Sequence, residues 1–320
     1  MTDIKGKNNP NWNGGVSIKL NNRMLKKIRD EGECKVCSSY EKLIIHHLDG
    51  NKENNKGKNW VVLCNVCHNN IHQRGYNFRK KRWSINVSEY FTSIQGELDT
   101  MGVPSHFLRL FGCNLDCKWC DSKYARLGKD YKQFSYNEII SLLKKWNKTH
   151  IKRIVISGGE PLYQNIVPLL LLCKIFGFVV EIETNGTLPP VGKNKESLKN
   201  RIYHKSLVEK FNISPKLIGT QNKPKNKKYY RTLETPSFKQ FLDFKYNFKF
   251  VVDNEKDIFQ IKKFQKKLKI PNERIWLMAE GQTREKQLNL MPKVFEWCVK
   301  YGFTYSPRLH VLAFNVKRGV

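Results

Sequence analysis

Seven of the nine cysteines stand in close-spaced groups, and thiolates at such spacings bind metal. Cys34 and Cys37 form one C-x-x-C pair, and Cys64 and Cys67 form a second after 26 intervening residues. Four thiolates at that spacing fold around one tetrahedral Zn²⁺. Cys113, Cys117 and Cys120 form a C-x-x-x-C-x-x-C run. Three thiolates that close can ligate three irons of a 4Fe-4S cluster and leave the fourth open for substrate or cofactor chemistry; a three-cysteine zinc site is the alternative. Cys173 and Cys298 stand alone and read as small buried hydrophobes on helices. Between and after the two C-x-x-C pairs lie His46, His47, Asn59, His68 and His72. The i, i+4 spacing of His68 and His72 puts two imidazoles on one helix face, where they can share a metal.

These groups need scaffolds. Leu43 to Ile45, ending in His46 and His47, reads as a short strand, and so does Trp60 to Leu63 after Asn59. A first region of about 70 residues is too small to depend on its core alone, so a structural metal makes physical sense there. The basic run Arg79 to Arg82 lies in the polar stretch Gln73 to Arg82 and marks a linker, and the hydrophobic pattern restarts at Ile85. The domain reading is 1–78, a linker at 79–86, and 87–320. In the second region the strand candidates are HFLRLFG, RIVISGG, FVVEIET, FNIS, FKFVV, RIWLMAE and GFTYSPRLHV, with amphipathic stretches such as SYNEIISLLKKW between several of them. That alternation predicts an α/β fold, a parallel sheet covered by helices with functional groups at the C-terminal strand ends.

The chain has 58 basic and 28 acidic residues, a net charge of +30, which predicts attraction to polyanions and makes nucleic acid an expected partner. Lys19, Arg23, Lys26, Lys27 and Arg29, on an expected helix, would supply phosphate contacts. The 40% hydrophobic content excludes disorder as the whole account. The most apolar stretch, Ile166 to Val180, is too short to span a membrane. The odd cysteine count and the lack of a signal segment lead to the expectation of a reducing, cytoplasmic setting and no disulfide framework.

The first region resembles the HNH endonuclease family through NPNWNGG at 8–14, CKVC, IIHHLDGNKENN, NW and LCNVCHNNIH. The resemblance implies a small zinc-stabilised ββα-metal fold. In it His47 would be the general base that activates water, and Asn59 would hold the catalytic loop. His46, His68 and His72 would hold a second divalent metal against the scissile phosphate of DNA. The alternative is a nuclease-derived zinc module that only binds DNA.

The second region resembles the radical S-adenosylmethionine superfamily through Cys113, Cys117 and Cys120, with Trp119 before the last cysteine, and SGGEP at 157–161. YFTSIQGE, FLRLFGCNLDCKWCDS, VISGGEPL, EIETNGT, NISPKL and RLHVLAFNVKRGV narrow the likeness to the 7-carboxy-7-deazaguanine synthase family. The resemblance implies a partial (β/α) barrel, a 4Fe-4S cluster, S-adenosylmethionine and Mg²⁺. It also implies conversion of 6-carboxy-5,6,7,8-tetrahydropterin to 7-carboxy-7-deazaguanine with loss of ammonia, an electron donor such as flavodoxin, and a homodimer. By motif position, Gly158, Gly159, Glu160, Glu183, Asn185, Ser214 and Lys216, with Trp119, would line the cofactor site. Gln95, Glu97, Arg109 and His310, the last in an expected terminal strand, would meet the pterin, and Ser122 would ligand Mg²⁺ where the family places a hydroxyl. Leu98 stands where the family's QGEG has a second glycine, which would shift the loop carrying Gln95 and Glu97. The segment Lys193 to Arg231 is Lys-rich and reads as a solvated loop, with a nucleic-acid contact as the alternative. A different radical reaction on another substrate is the competing enzymatic reading.

Overall fold

The computed structural model describes residues 22–73, 83–190, 205–220 and 232–320. The chain divides into two compact units, Met1–Asn70 and Ile71–Val320.

In the first unit, helix α1 (Asn22–Glu31) precedes a hairpin of β1 (Leu43–His47) and β2 (Trp60–Cys64), and β2 runs straight into helix α2 (Asn65–Gln73). The strands are antiparallel, with Ile45 opposite Val62 and His46 opposite Val61. Met24, Ile45, Trp60 and Val62 form the core, with Ile28 and Leu43 against it. Burying so few large side chains gives only a few kcal/mol against the ordering entropy, so the four nearby thiols matter to the stability of this unit. The motif NPNWNGG and Lys19 lie outside the described residues, as does most of the basic stretch 73–82.

The second unit is built on a nine-stranded sheet among the described residues, in the order β11-β10-β9-β8-β7-β6-β4-β3-β5. The strands are β3 (Ser84–Ile94), β4 (Pro104–Leu110), β5 (Lys132–Ser135), β6 (Arg153–Gly158), β7 (Val179–Thr184), β8 (Lys210–Ile213), β9 (Tyr246–Val252), β10 (Ile275–Ala279) and β11 (Thr304–Tyr305). From β4 to β11 every pairing is parallel, while β3 pairs antiparallel with both β4 and β5. Strand β3 begins at Ser84, opposite Ser135, within the stretch 79–86 read as linker. The segment 193–231 is not one loop either: Lys210–Ile213 within it is β8, paired with β7 and β9. FNIS within it is among the strand candidates, and Lys210 at the strand's start is buried near Glu181.

Helices α3 (Tyr136–Trp146), α4 (Val167–Ile175), α5 (Phe238–Phe241), α6 (Glu255–Leu268), α7 (Arg284–Tyr301) and α8 (Leu309–Phe314) complete the unit. Helix α3 starts at a capping box, in which Ser135 Oγ accepts from the Glu138 amide and the Glu138 side chain accepts from the Ser135 amide. It buries Ile139, Ile140, Leu142, Leu143 and Trp146. Helix α4 is buried at every position except Lys174, which explains the hydrophobic run at 166–180, and Cys173 is buried on it. Among the described residues no helix is long and apolar enough to cross a membrane. The strand alternation sorts the two faces. Phe248 and Phe250 of β9 pack on Phe264 of α6, whereas Lys249 and Val251 point to the opposite side, into a polar cavity.

Candidate active site and metal-binding clusters

The cavity, about 410 Å³, opens where the parallel strands end. Its wall begins on the loop after β4, which carries Cys113, Cys117, Trp119, Cys120, Asp121 and Ser122. Close backbone packing holds that loop down. A Cβ on Gly158, whose φ is +137°, would meet Leu110 O at 2.1 Å, and one on Gly159 would meet Gly112 O at 2.3 Å. Glu160 N–H donates to Gly112 O at 2.8 Å. The two glycines therefore bring β6 against the cysteine loop as well as against the cavity.

Glu160 itself does not line the cavity. It is 0% exposed, and its carboxylate accepts from Leu162 N, Thr184 Oγ1 and Asn185 N at 3.0, 2.7 and 2.7 Å. Sequence placed it on the cofactor; in the structure these bonds knit β6 to the end of β7. Glu183 and Asn185 at that end do line the cavity, as do Ser214 and Lys216 after β8, where Lys216 Nζ donates to Ser214 Oγ at 2.9 Å. Asn185 Nδ2 lies 3.9 Å from Cys113 Sγ, a donor aimed at a thiol that could ligate iron.

The opposite wall is the loop from β3 to β4. Gln95 Nε2 donates to Glu183 Oε1 at 3.1 Å. Glu97 is paired with Lys249 of β9 and lies 3.5 Å from Arg308 Nε, and Arg308 also pairs with Asp121. Burial alone would raise the Glu97 carboxyl, but Lys249, then Arg308, outweigh it and hold it well below the ordinary carboxylate range. Arg109 is held by Glu89, 2.7 Å from its Nε, and Glu89 also accepts from Tyr124 Oη at 2.6 Å. Ser122 Oγ donates to Asp121 Oδ1 at 3.1 Å and sits beside Cys120.

His310 lines the cavity but is not on a strand: β11 ends at Tyr305, and His310 belongs to α8. The pattern GFTYSPRLHV contains Pro307, which cannot continue a ladder, and the chain turns there. A Cβ on Gly96 would meet His310 Nδ1 at 2.4 Å, so that glycine is what lets the helix approach. Burial lowers the His310 imidazole below its ordinary value, so it is neutral near pH 7.

Leu98 keeps the left-handed backbone a glycine would supply, with φ +61°, and is 2% exposed, its N–H donating to Ser306 Oγ at 2.9 Å. Lys249, Arg308 and Asp121 were not foreseen. The alternation of FKFVV was the available signal, because it puts Lys249 on the face opposite two buried phenylalanines.

In the first unit the four sulfurs of Cys34, Cys37, Cys64 and Cys67 lie within 4.8 Å of one another, a set that could hold one metal ion. The His46 and His68 rings meet edge to face at 5.4 Å between centroids. The His72 side chain lies outside the described residues. Asn59 is buried and closes the loop after β1: its Oδ1 accepts from Asp49 N at 3.1 Å, and its Nδ2 donates to Asp49 Oδ1 and Asn54 O at 2.8 and 3.0 Å. His47 is buried too, and its Nε2 lies 3.2 Å from the Trp60 indole nitrogen and 3.1 Å from Asn55 Oδ1.

Comparison with known proteins agrees with this geometry. The model of the Radical SAM superfamily matches residues 109–209. The 7-carboxy-7-deazaguanine synthase of Hyperthermus butylicus is 31% identical over 243 residues, covering 73% of this chain and 96% of that protein. The synthase of Aquifex aeolicus is 31% identical over 240 residues, covering 72% and 94%. The crystal structure of QueE from Escherichia coli has the same fold, with a TM-score of 0.55 at 22% identity over 75% of this chain and 98% of that one. Fold, cysteine loop and family match define a radical SAM enzyme, a class that works with a 4Fe-4S cluster and S-adenosylmethionine. Within that class the chain belongs to the 7-carboxy-7-deazaguanine synthase family.

Proposed function

We propose that the second unit converts 6-carboxy-5,6,7,8-tetrahydropterin to 7-carboxy-7-deazaguanine with release of ammonia. The observation that carries this reading is one cavity bounded by the three-cysteine loop on one side and by the ion-paired Glu97, Lys249 and Arg308 on the other. Cys113, Cys117 and Cys120 would hold the cluster, and Trp119, Gly158, Gly159, Glu183, Asn185, Ser214 and Lys216 would surround S-adenosylmethionine. When bound, the two together supply a 5′-deoxyadenosyl radical able to take a hydrogen atom from the substrate.

The remaining work belongs to side chains of this chain. Gln95 and ionised Glu97 offer acceptors to the N–H groups of a pterin ring, and Arg109 offers a charge-assisted donor to its carboxylate. Seven cationic side chains line the cavity against five carboxylates, a balance that suits an anionic substrate. His310, neutral through burial, can hold or return a proton as ammonia leaves. Ser122 Oγ, beside Asp121, offers a hard oxygen to Mg²⁺.

Anaerobically reconstituted protein supplied with S-adenosylmethionine, a reductant and the carboxylated tetrahydropterin is expected to release 7-carboxy-7-deazaguanine. Formation of 5′-deoxyadenosine without any deazaguanine would assign the radical chemistry to another substrate and overturn the reading.

A second reading concerns the first unit, and the loop locked by Asn59 beside the paired rings of His46 and His68 favours it. There the chain carries a metal-dependent DNA nuclease module, stabilised by Zn²⁺ on Cys34, Cys37, Cys64 and Cys67. His46, His68 and His72 serve the catalytic metal and His47 serves as base. Plasmid nicking with Mg²⁺ or Mn²⁺ is expected from the wild type and is expected to fall about a hundredfold or more in His47→Ala without loss of DNA binding. Equal binding with no nicking by either would reduce the unit to a DNA-binding adaptor.

A further inference from the structure

The residues joining β3 to β4 close on themselves at the base: Gln95 N–H donates to Val103 O at 2.9 Å and Gly102 N–H to Gln95 O at 2.8 Å. A hairpin connection needs nothing more. Yet its middle is fastened to strands that are not its own, and the fastening converges on one buried carboxylate.

Glu181 of β7 is 0% exposed. One cation would neutralise it, and Arg153 at the start of β6 is paired with it. A second cation, Lys210 at the start of β8, approaches to 3.5 Å and is paired with Asp99 of the loop. The other oxygen of Glu181 accepts from Thr100 Oγ1 at 3.0 Å and from Asn212 Nδ2 at 3.1 Å. Two consecutive loop residues, Asp99 and Thr100, thus hang from one buried network. Leu98 before them is locked by Ser306 and its left-handed backbone. Only Gly96 separates Gln95 from Glu97, so a turn of the chain at 99 or 100 moves both groups together.

We propose, resting on the pterin reading of the cavity, that Glu181 is a positioning residue for the substrate pocket. Through Thr100 and through Lys210 with Asp99 it sets the loop that presents Gln95 and Glu97. The pairing with Arg153 alone would satisfy a purely structural carboxylate; the contacts to Asp99 and Thr100 transmit its position to the pocket.

Thr100→Val removes the hydroxyl and keeps the shape, so it tests the link without removing a buried charge. It is expected to raise the KM for the carboxylated tetrahydropterin about tenfold, the effect of one hydrogen bond, while 5′-deoxyadenosine formation without pterin stays within about twofold of wild type. Hydrogen–deuterium exchange of the peptide covering 95–103 is expected to quicken by a similar factor of about ten. Thr100→Ser restores both, and Asp99→Asn shifts both in the direction of Thr100→Val. Exchange and KM within about twofold of wild type in both Thr100→Val and Asp99→Asn would overturn the proposal. A wild type that makes 5′-deoxyadenosine but no deazaguanine would instead overturn the substrate reading, and the exchange measurement would still decide whether Glu181 positions the loop.

Discussion

Leu98 illustrates how a side chain can hold a backbone that its type disfavours. A left-handed conformation costs a non-glycine residue about 1–2 kcal/mol, and here full burial and the bond to Ser306 offset it. Leu98→Gly relieves that strain but leaves a cavity worth about 2–5 kcal/mol, so denaturant unfolding is expected to show a net loss of about 1–3 kcal/mol. Glu97 makes the reverse case, a charge kept ionised inside the protein by two cations. Glu97→Gln leaves Lys249 and Arg308 one carboxylate short and is expected to destabilise by about 3 kcal/mol, read from the same denaturant curves, and to abolish measurable deazaguanine formation. Sequence motifs pointed to Gln95, Glu97, Arg109 and His310, because those residues sit in recognisable runs, and all four line the cavity. The partners that tune them, Lys249, Arg308, Asp121 and Glu89, come from distant segments, and only the fold brings them together.

At the scale of elements, period-two alternation was legible wherever one strand face met helices. β4, β6, β7, β8, β9 and β10 all fall on the runs read as strands. The tract at 302–311 shrank to a two-residue strand followed by helix α8, because Pro307 breaks the ladder and a short apolar run does not distinguish strand from helix. The antiparallel β3 and β5 were missed as sheet members; β5 is short and mostly polar, with Phe134 its one apolar residue. The junction of β4 with α3 carries a pH-sensitive contact. His106 is buried, stacks on Trp146 at 4.6 Å between centroids, and shares hydrogen bonds with Thr92 and Thr149. Burial, with a smaller push from Lys152, lowers its pKa below the ordinary 6.5. The unfolded chain therefore takes up the proton first as pH falls. The stabilisation is complete above about pH 6.5 and declines below it, so the wild type should lose Tm on acidification more steeply than His106→Phe, which keeps the stack but cannot titrate. Parallel slopes for the two proteins would contradict this.

For the molecule as a whole, the net charge of +30 pointed to nucleic acid, whereas the similarity over most of the chain is to 7-carboxy-7-deazaguanine synthases. Cysteine spacing was the better guide, since it separates a four-sulfur cluster in one compact unit from a three-cysteine loop in the other. The two units should then fail separately. Cys67→Ser is expected to lose one equivalent of zinc and the unfolding transition of the first unit, as structural zinc contributes about 10 kcal/mol or more of folding free energy in small domains. Iron content and deazaguanine formation should stay within about twofold of wild type. Loss of iron together with zinc would contradict two independent centres. The central claim is that the cavity beside Cys113, Cys117 and Cys120 rearranges a carboxylated pterin. The most direct test is the yield of 7-carboxy-7-deazaguanine per S-adenosylmethionine consumed in one anaerobic assay of the reconstituted full chain. The account predicts a measurable yield of 7-carboxy-7-deazaguanine; accumulation of 5′-deoxyadenosine with no deazaguanine would contradict it.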